Sequence, residues 1–223
     1  MSTPVRRGTA RREQLLDDLV ELCLAEGFAH LTLDDLAARL HCSKRTLYGL
    51  AGSKEQLVRA AVVHFFRRAT ERVEAASRAP ADPAARIVAY LRAVAAELAP
   101  ASTRFHADLA AFPPAAEVYE RNTRHAARRV TELIDDGVAL AAFRQVHAAF
   151  VADAVTSVMV RIQRREVAAA TGLADGEAYQ QLAELVLHGL VHPDPAGSPP
   201  TSAAPSPSTA PSPSTADPRS HRR

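Results

Sequence analysis

Residues 31–57 read LTLDDLAARLHCSKRTLYGLAGSKEQL, and the periodicity of this stretch decides the fold. Leu33, Leu36, Ala37 and Leu40 recur at i, i+3, i+4 and i+7, the spacing of a short helix that turns one face inward. Thr32, with Asp35 three residues on, makes a capping-box-like start. His41 and Cys42 interrupt the pattern, and Ser43 can accept the first free backbone N–H groups of a second helix, 44 to about 50. Two short helices with a three-residue break between them are a helix-turn-helix. Leu47 lies on the inner side of the second helix, and Lys44, Arg45, Thr46 and Tyr48 lie on or near the opposite surface. Two cations, a hydroxyl and a phenol there suit base edges and phosphates in a major groove. Ser53 then caps a third helix with Gln56 at its N3 position, a second capping box, and Lys54 offers a charge beside free N–H groups for a phosphate.

Working outward, Leu15, Leu16, Leu19, Val20 and Cys23 predict a supporting helix over 11–26 that stops at Gly27. On the other side Leu57, Val58, Ala61, Val62, Phe65, Phe66, Ala69 and Val73 make one stripe on a helix over 53–78, ended by Pro80. A helix this long leaves the DNA-binding unit and enters a second domain. Asp82-Pro83 is a cap followed by an N1 proline and opens a helix to about 98. Further helices are predicted over 102–112, 115–136, 146–167 and 175–191, with Pro113-Pro114 as a break. Arg121, Arg124, Arg128 and Arg129 on the 115–136 segment are most simply a solvated face. Arg6, Arg7, Arg11 and Arg12 mark the start of the chain as a solvated tail or as an arm toward phosphates or the minor groove.

At Thr32, Leu36-Ala37, Ser43, Thr46-Leu47-Tyr48 and Ser53-Lys54-Glu55-Gln56-Leu57, the chain resembles the TetR family of bacterial transcriptional regulators over about residues 10–66. It departs from the family pattern at His41, where glycine is frequent, and at Leu50 and Ala51, which replace a His-Phe or Tyr-Phe pair. Histidine tolerates the left-handed conformation better than most residues, so the turn can survive. The loss of the polar group at 50 removes a phosphate contact.

The resemblance implies an all-α chain: a flexible basic arm (1–10), a three-helix DNA-binding domain (11–56) and a helical ligand-binding and dimerisation domain (57–191). A Pro/Ser/Thr/Ala-rich tail (192–223), expected to be disordered, follows. It implies a homodimeric repressor that binds a pseudo-palindromic double-stranded DNA operator and is released by a small-molecule effector. For DNA the candidates are Lys44 and Arg45 on base edges, Thr46 on bases or phosphate, and Thr32, Tyr48 and Lys54 on phosphate, with the capping Ser43 among them. The last two long helices are implied to form a four-helix dimer interface through Val155, Met159, Ile162, Leu182, Leu185 and Val186, although a hairpin buried within one chain has the same periodicity. Tyr90, Phe105, His106, Leu109, Phe112, Tyr119, Asn122, Phe150 and Met159 are the pocket candidates; an ordinary core has the same pattern.

Composition narrows the alternatives. A net charge of +2 is too small for a bulk electrostatic argument for nucleic acid, but the only two lysines, Lys44 and Lys54, both fall in the motif. No apolar run approaches the roughly 20 residues of a membrane span, and residues 1–10 have no apolar centre of a signal peptide, so a soluble cytoplasmic protein is expected. Cys23 and Cys42 lie on apolar faces and read as reduced core thiols. No nucleophile elbow, phosphate loop or dinucleotide fingerprint is present, and His106, Asp108, His125 and His147 match no metal-ligand spacing, so neither enzyme, cofactor nor metal is expected. Two rivals stand beside the regulator: a helical small-molecule sensor or enzyme with a degenerate DNA-binding unit, and a DNA or protein module without sequence selectivity.

Overall fold

The computed structural model describes residues 4–191, which form ten α-helices. They are α1 (Pro4–Glu26), α2 (Leu33–Arg39), α3 (Lys44–Tyr48), α4 (Lys54–Arg78) and α5 (Pro83–Leu98), followed by α6 (Thr103–Ala111), α7 (Pro113–Ala139), α8 (Ala148–Gln163), α9 (Glu166–Thr171) and α10 (Asp175–Leu190). No strand occurs among the described residues, so the expected all-α class holds. The expected disordered tail at 192–223 lies outside them.

Side-chain caps start the helices where the sequence places them. Ser43, Ser53, Asp82 and Ser102 each accept an N–H three residues on, each worth about 1 kcal/mol. Three boundaries differ from expectation. Helix α1 begins at Pro4, where a helix or arm boundary near residue 11 was expected. Proline suits a first turn, and Gly8, at about 1 kcal/mol, is the largest propensity cost between it and Arg11. Pro113 likewise starts α7 with no break beyond Phe112. The expected helix over 146–167 is divided, because Arg165 takes a left-handed conformation (φ 61°) between α8 and α9.

Two apolar cores run through the molecule, and α4 belongs to both. The first joins α1, α2, α3, the front of α4, α6 and the start of α7. Phe105 stands edge-on to Phe28 and Phe65 at 6.2 and 6.4 Å, and such pairs add about 1 kcal/mol each beyond the area they bury. The second joins the rear of α4 to α5, α7, α8 and α10 around Leu91, Ile134, Phe143 and Ile162. Gly137 is required there, since a Cβ on it would lie 2.1 Å from the Phe143 ring.

Short polar contacts fix α6 to the end of α1 within the first core. Asp108 on α6 accepts the backbone N–H groups of Phe28 and Ala29 at 2.6 and 2.8 Å, and the Ser102 N–H donates to the Leu24 carbonyl at 2.8 Å. Helix α6 therefore holds the turn that leads into the helix-turn-helix.

Candidate functional site

The helix-turn-helix is built from local hydrogen bonds. The Thr32 N–H donates to Asp35 at 2.8 Å and the Asp35 N–H returns to the Thr32 hydroxyl at 3.2 Å, so the capping box is complete. The Thr32 hydroxyl and N–H, both donating to the Asp35 carboxylate, hold it below its usual range. At the other end of α2 His41 has φ 48°; its N–H donates to Ala38 and the Cys42 N–H to Ala37. Those two bonds are the Schellman closure that glycine usually serves. The second expected capping box is only half formed. The Gln56 N–H donates to Ser53 at 3.2 Å, but the Gln56 side chain accepts from Gly52, one residue before the cap.

Helix α3 buries Leu47 and leaves Lys44, Arg45 and Tyr48 on the surface, with Tyr48 52% exposed. The exposed side chains differ in their freedom. Lys44 Nζ lies 2.6 Å from Asp34 on α2, and this contact pushes the ammonium up. Lys54, half-buried, donates to the Ala29 carbonyl at 2.8 Å. Ser43 and Thr46 share a hydroxyl contact at 2.8 Å, and the Thr32 hydroxyl donates to Asp35 at 2.6 Å. Arg45 and Tyr48 bond to none of the described side chains. Thr32, Lys44 and Lys54 are thus gathered around the first turn of α2, while Arg45 and Tyr48 project from α3 unengaged.

Asp34 was not anticipated, and Arg12, expected in a solvated tail or a phosphate-seeking arm, lies in α1 and takes another role. Asp34 is ten residues from Lys44 and meets it only across the turn, so no local spacing announces the pair. Arg12 donates to the carbonyls of Gly49 and Leu50 at 3.4 and 3.2 Å and satisfies the open end of α3. Leu50 and Ala51 pack on the first core, in keeping with the absence of a polar contact at 50.

A cavity of about 60 Å³ lies between α4, α5, α7 and α8. Four of the pocket candidates, Tyr90, Tyr119, Asn122 and Met159, line it. Phe105 and Phe112 do not, since they pack on Phe28 in the first core. His106 and Leu109 face a separate groove of about 360 Å³ against α7 and the end of α8, and burial draws the His106 imidazole down. Phe150 is corrected outright: it is 71% exposed and lines neither space. Thr70, Glu74 and Glu97 line the cavity and were missed, although Tyr90, Val94 and Glu97 share one face at i, i+4 and i+7. Tyr119 and Gln163 line both spaces, and the Tyr119 hydroxyl donates to the Gln163 side chain between them.

The expected interface residues are also redistributed. Val155, Met159, Ile162, Leu182 and Val186 are buried within the chain's own second core, because α8 and α10 pack on α5, α7 and each other. Only Leu185 of that set is exposed, at 72%. Among the described residues no group of three or more His, Cys, Asp or Glu side chains could hold a metal, and no helix is long and apolar enough to cross a membrane.

Residues 15–61 match the family model of bacterial regulatory proteins, tetR family. Among solved structures, the chain is similar to a protein of Saccharomonospora viridis in complex with choline, at 17% identity and TM-score 0.70, over 83% of this chain and 100% of that one. It is similar to the TetR family regulator PfmR from Thermus thermophilus, at 22% identity and TM-score 0.58, over 80% and 100% of the two chains. It is also similar to the ketosteroid regulator KstR2 of Mycobacterium tuberculosis, at 20% identity and TM-score 0.56, over 82% and 96%. These likenesses are of fold. No curated protein matches the chain.

Proposed function

We propose that this chain, whose residues 15–61 match the family model of bacterial regulatory proteins, tetR family, is a regulator of the TetR family: a cytoplasmic homodimeric repressor, released from a pseudo-palindromic operator by a small molecule. The observation that carries the reading is the surface of α3, where Arg45 and Tyr48 stand free over a buried Leu47 and Lys44 stands beside Asp34. Arg45 reads base edges; Lys44 joins it once DNA draws the ammonium away from Asp34. Tyr48, Thr32 and Lys54 serve phosphates, Thr46 serves either, and Ser43 sets the helix start from which they project.

A dimer presents two such helices about 34 Å apart, in successive major grooves. Helix α4 begins in the DNA-binding unit and carries Phe65 to Glu74 along the cavity, so a ligand there acts on the element that positions α3. It lowers operator affinity only by as much as it prefers the form with the wrong spacing. The choline held by the Saccharomonospora viridis protein supports a small-molecule site in a chain of this shape.

Selection of bound duplexes from a random DNA pool tests the reading, with Arg45→Ala and Lys44→Ala as controls. The expected product is an inverted repeat whose sequence preference Arg45→Ala relaxes, at a cost of about 1–3 kcal/mol. Folded protein that enriches nothing would move the assignment to a helical sensor whose DNA-binding unit has lapsed. A steep salt dependence without sequence preference would identify a non-selective DNA module.

A further inference from the structure

We propose that the cavity between α4, α5, α7 and α8 takes a small organic ammonium ion; this names the chemical class of the effector and rests on the regulator reading above. The wall carries two carboxylates, Glu74 and Glu97, and two phenols, Tyr90 and Tyr119, beside the rings of Phe65 and Phe66. It carries no lysine or arginine.

Both carboxylates are placed before any ligand arrives. Arg72 donates through Nε to Glu97 at 2.6 Å, and Arg129 through Nε to Glu74 at 3.1 Å. The Glu97 and Glu74 side chains are only 17% and 15% exposed. Neither arginine lines the cavity, so Glu74 and Glu97, each paired from behind to an arginine, share its wall with His125 and no permanent cation. An anion would meet two carboxylates at short range in a poorly solvated space, where like charges repel strongly.

Tyr90 points to the ligand independently. It is 4% exposed, lines the cavity and bonds to no described group, yet among the described residues no side-chain polar atom cut off from water-sized space is left unbonded. Its hydroxyl oxygen therefore opens on the cavity, where it can accept a hydrogen bond. An ammonium N–H supplies that bond, a nearby carboxylate supplies the opposite charge, and ring faces attract a cation further. The volume has room for about four or five waters, which limits the ligand to a few heavy atoms unless the Tyr119–Gln163 contact opens into the adjoining groove.

The test uses three molecules with one hydrocarbon skeleton and different charge: tert-butylammonium, tert-butanol and pivalate. Calorimetric titration into the DNA-free full-length protein at neutral pH should show the ammonium binding at least about tenfold more tightly than the alcohol, with pivalate weakest. Tyr90→Phe and Glu97→Gln should each remove most of that preference and leave the alcohol unchanged. The three-ligand series on the wild type decides the matter if either variant fails to fold. Equal or tighter binding of the alcohol or pivalate overturns the proposal, as does the absence of any heat from the ammonium at millimolar concentration. Because no DNA is present, an operator found without ammonium preference refutes only this inference, and ammonium preference without an operator refutes only the regulator reading.

Discussion

His41 holds a left-handed backbone angle, φ 48°, at the turn between the two short helices. A β-carbon in that region costs about 1–2 kcal/mol in the general case, and histidine less than most. His41→Gly should therefore raise stability by up to about 1 kcal/mol in urea unfolding, and a β-branched His41→Val should lower it by more than that; a neutral pair of results would mean the turn is not strained. Cys23 yields a prediction of opposite character. Burial, with the Asp108 carboxylate adding to it, pushes its thiol up to about 12. An unfolded thiol ionises near pH 8.5, so between about pH 9 and 12 the folded chain keeps a proton that the unfolded chain has released, and stability falls as pH rises, by at most about 1.4 kcal/mol per unit. Unfolding free energies measured from about pH 8 to 11 should fall more steeply for the wild type than for Cys23→Ala; parallel slopes would refute the burial account. At this scale the sequence was most legible where residues act locally: Thr32, Ser43, Ser53 and Asp82 cap their own helices, and each partner lies three residues away. Lys54 was readable as a cation of the motif but not as the donor to Ala29, twenty-five residues distant.

Among the elements, α6 departs most from what its sequence advertises. Nine residues with Phe105 and Leu109 inward read as a short core helix, and they are that. Asp108, three residues after Phe105, accepts two N–H groups from the turn after α1, in a space where Gly27 has no room for a side chain. That contact joins residues eighty positions apart, and no local pattern foretells it. Asp108→Ala leaves the Phe28 and Ala29 donors without their acceptor, at an expected cost of about 1–3 kcal/mol in chemical denaturation. If α6 also positions the DNA-binding unit, the same variant should weaken operator binding at temperatures where it remains fully folded. Unchanged affinity with lowered stability would confine Asp108 to a structural role. The division of α8 from α9 was hidden for another reason. Val158, Ile162 and Val167 continue an apolar pattern across residues 164–166, and only the backbone angle of Arg165 marks the break.

For the whole molecule, the question periodicity left open was which apolar face of the last two long helices belongs to the chain's own core. Val155, Ile162, Leu182 and Val186 take that place, and Phe150 on α8 and Leu185 on α10 are left exposed. The Arg144 N–H, in the loop before α8, donates to the Leu190 carbonyl at 2.9 Å, so this loop adjoins the end of α10. Leu140, Phe150, Leu185 and Val191, all exposed, lie within two turns of this junction in sequence. Singly exposed apolar residues need no explanation, but a helix pair that leaves Phe150 71% and Leu185 72% exposed offers a surface to be covered. A two-fold dimer would cover it with its own copy, each side chain counted twice by symmetry. Burying a Phe or Leu side chain contributes about 2 kcal/mol, so Phe150→Glu combined with Leu185→Glu removes about 8 kcal/mol of gross association free energy and places charges where water must leave. The folded monomer should be nearly untouched, since both side chains stand outside its core. Sedimentation equilibrium should then show a wild-type dimer and a monomeric double variant with the wild-type helical content and a similar unfolding midpoint at low protein concentration. The variant should also lose the inverted repeat while retaining weak, salt-sensitive DNA binding, because one recognition helix can still meet one groove. A variant that stays dimeric would place the interface on another face, and one that no longer folds would return Phe150 and Leu185 to the core from which the structure excludes them.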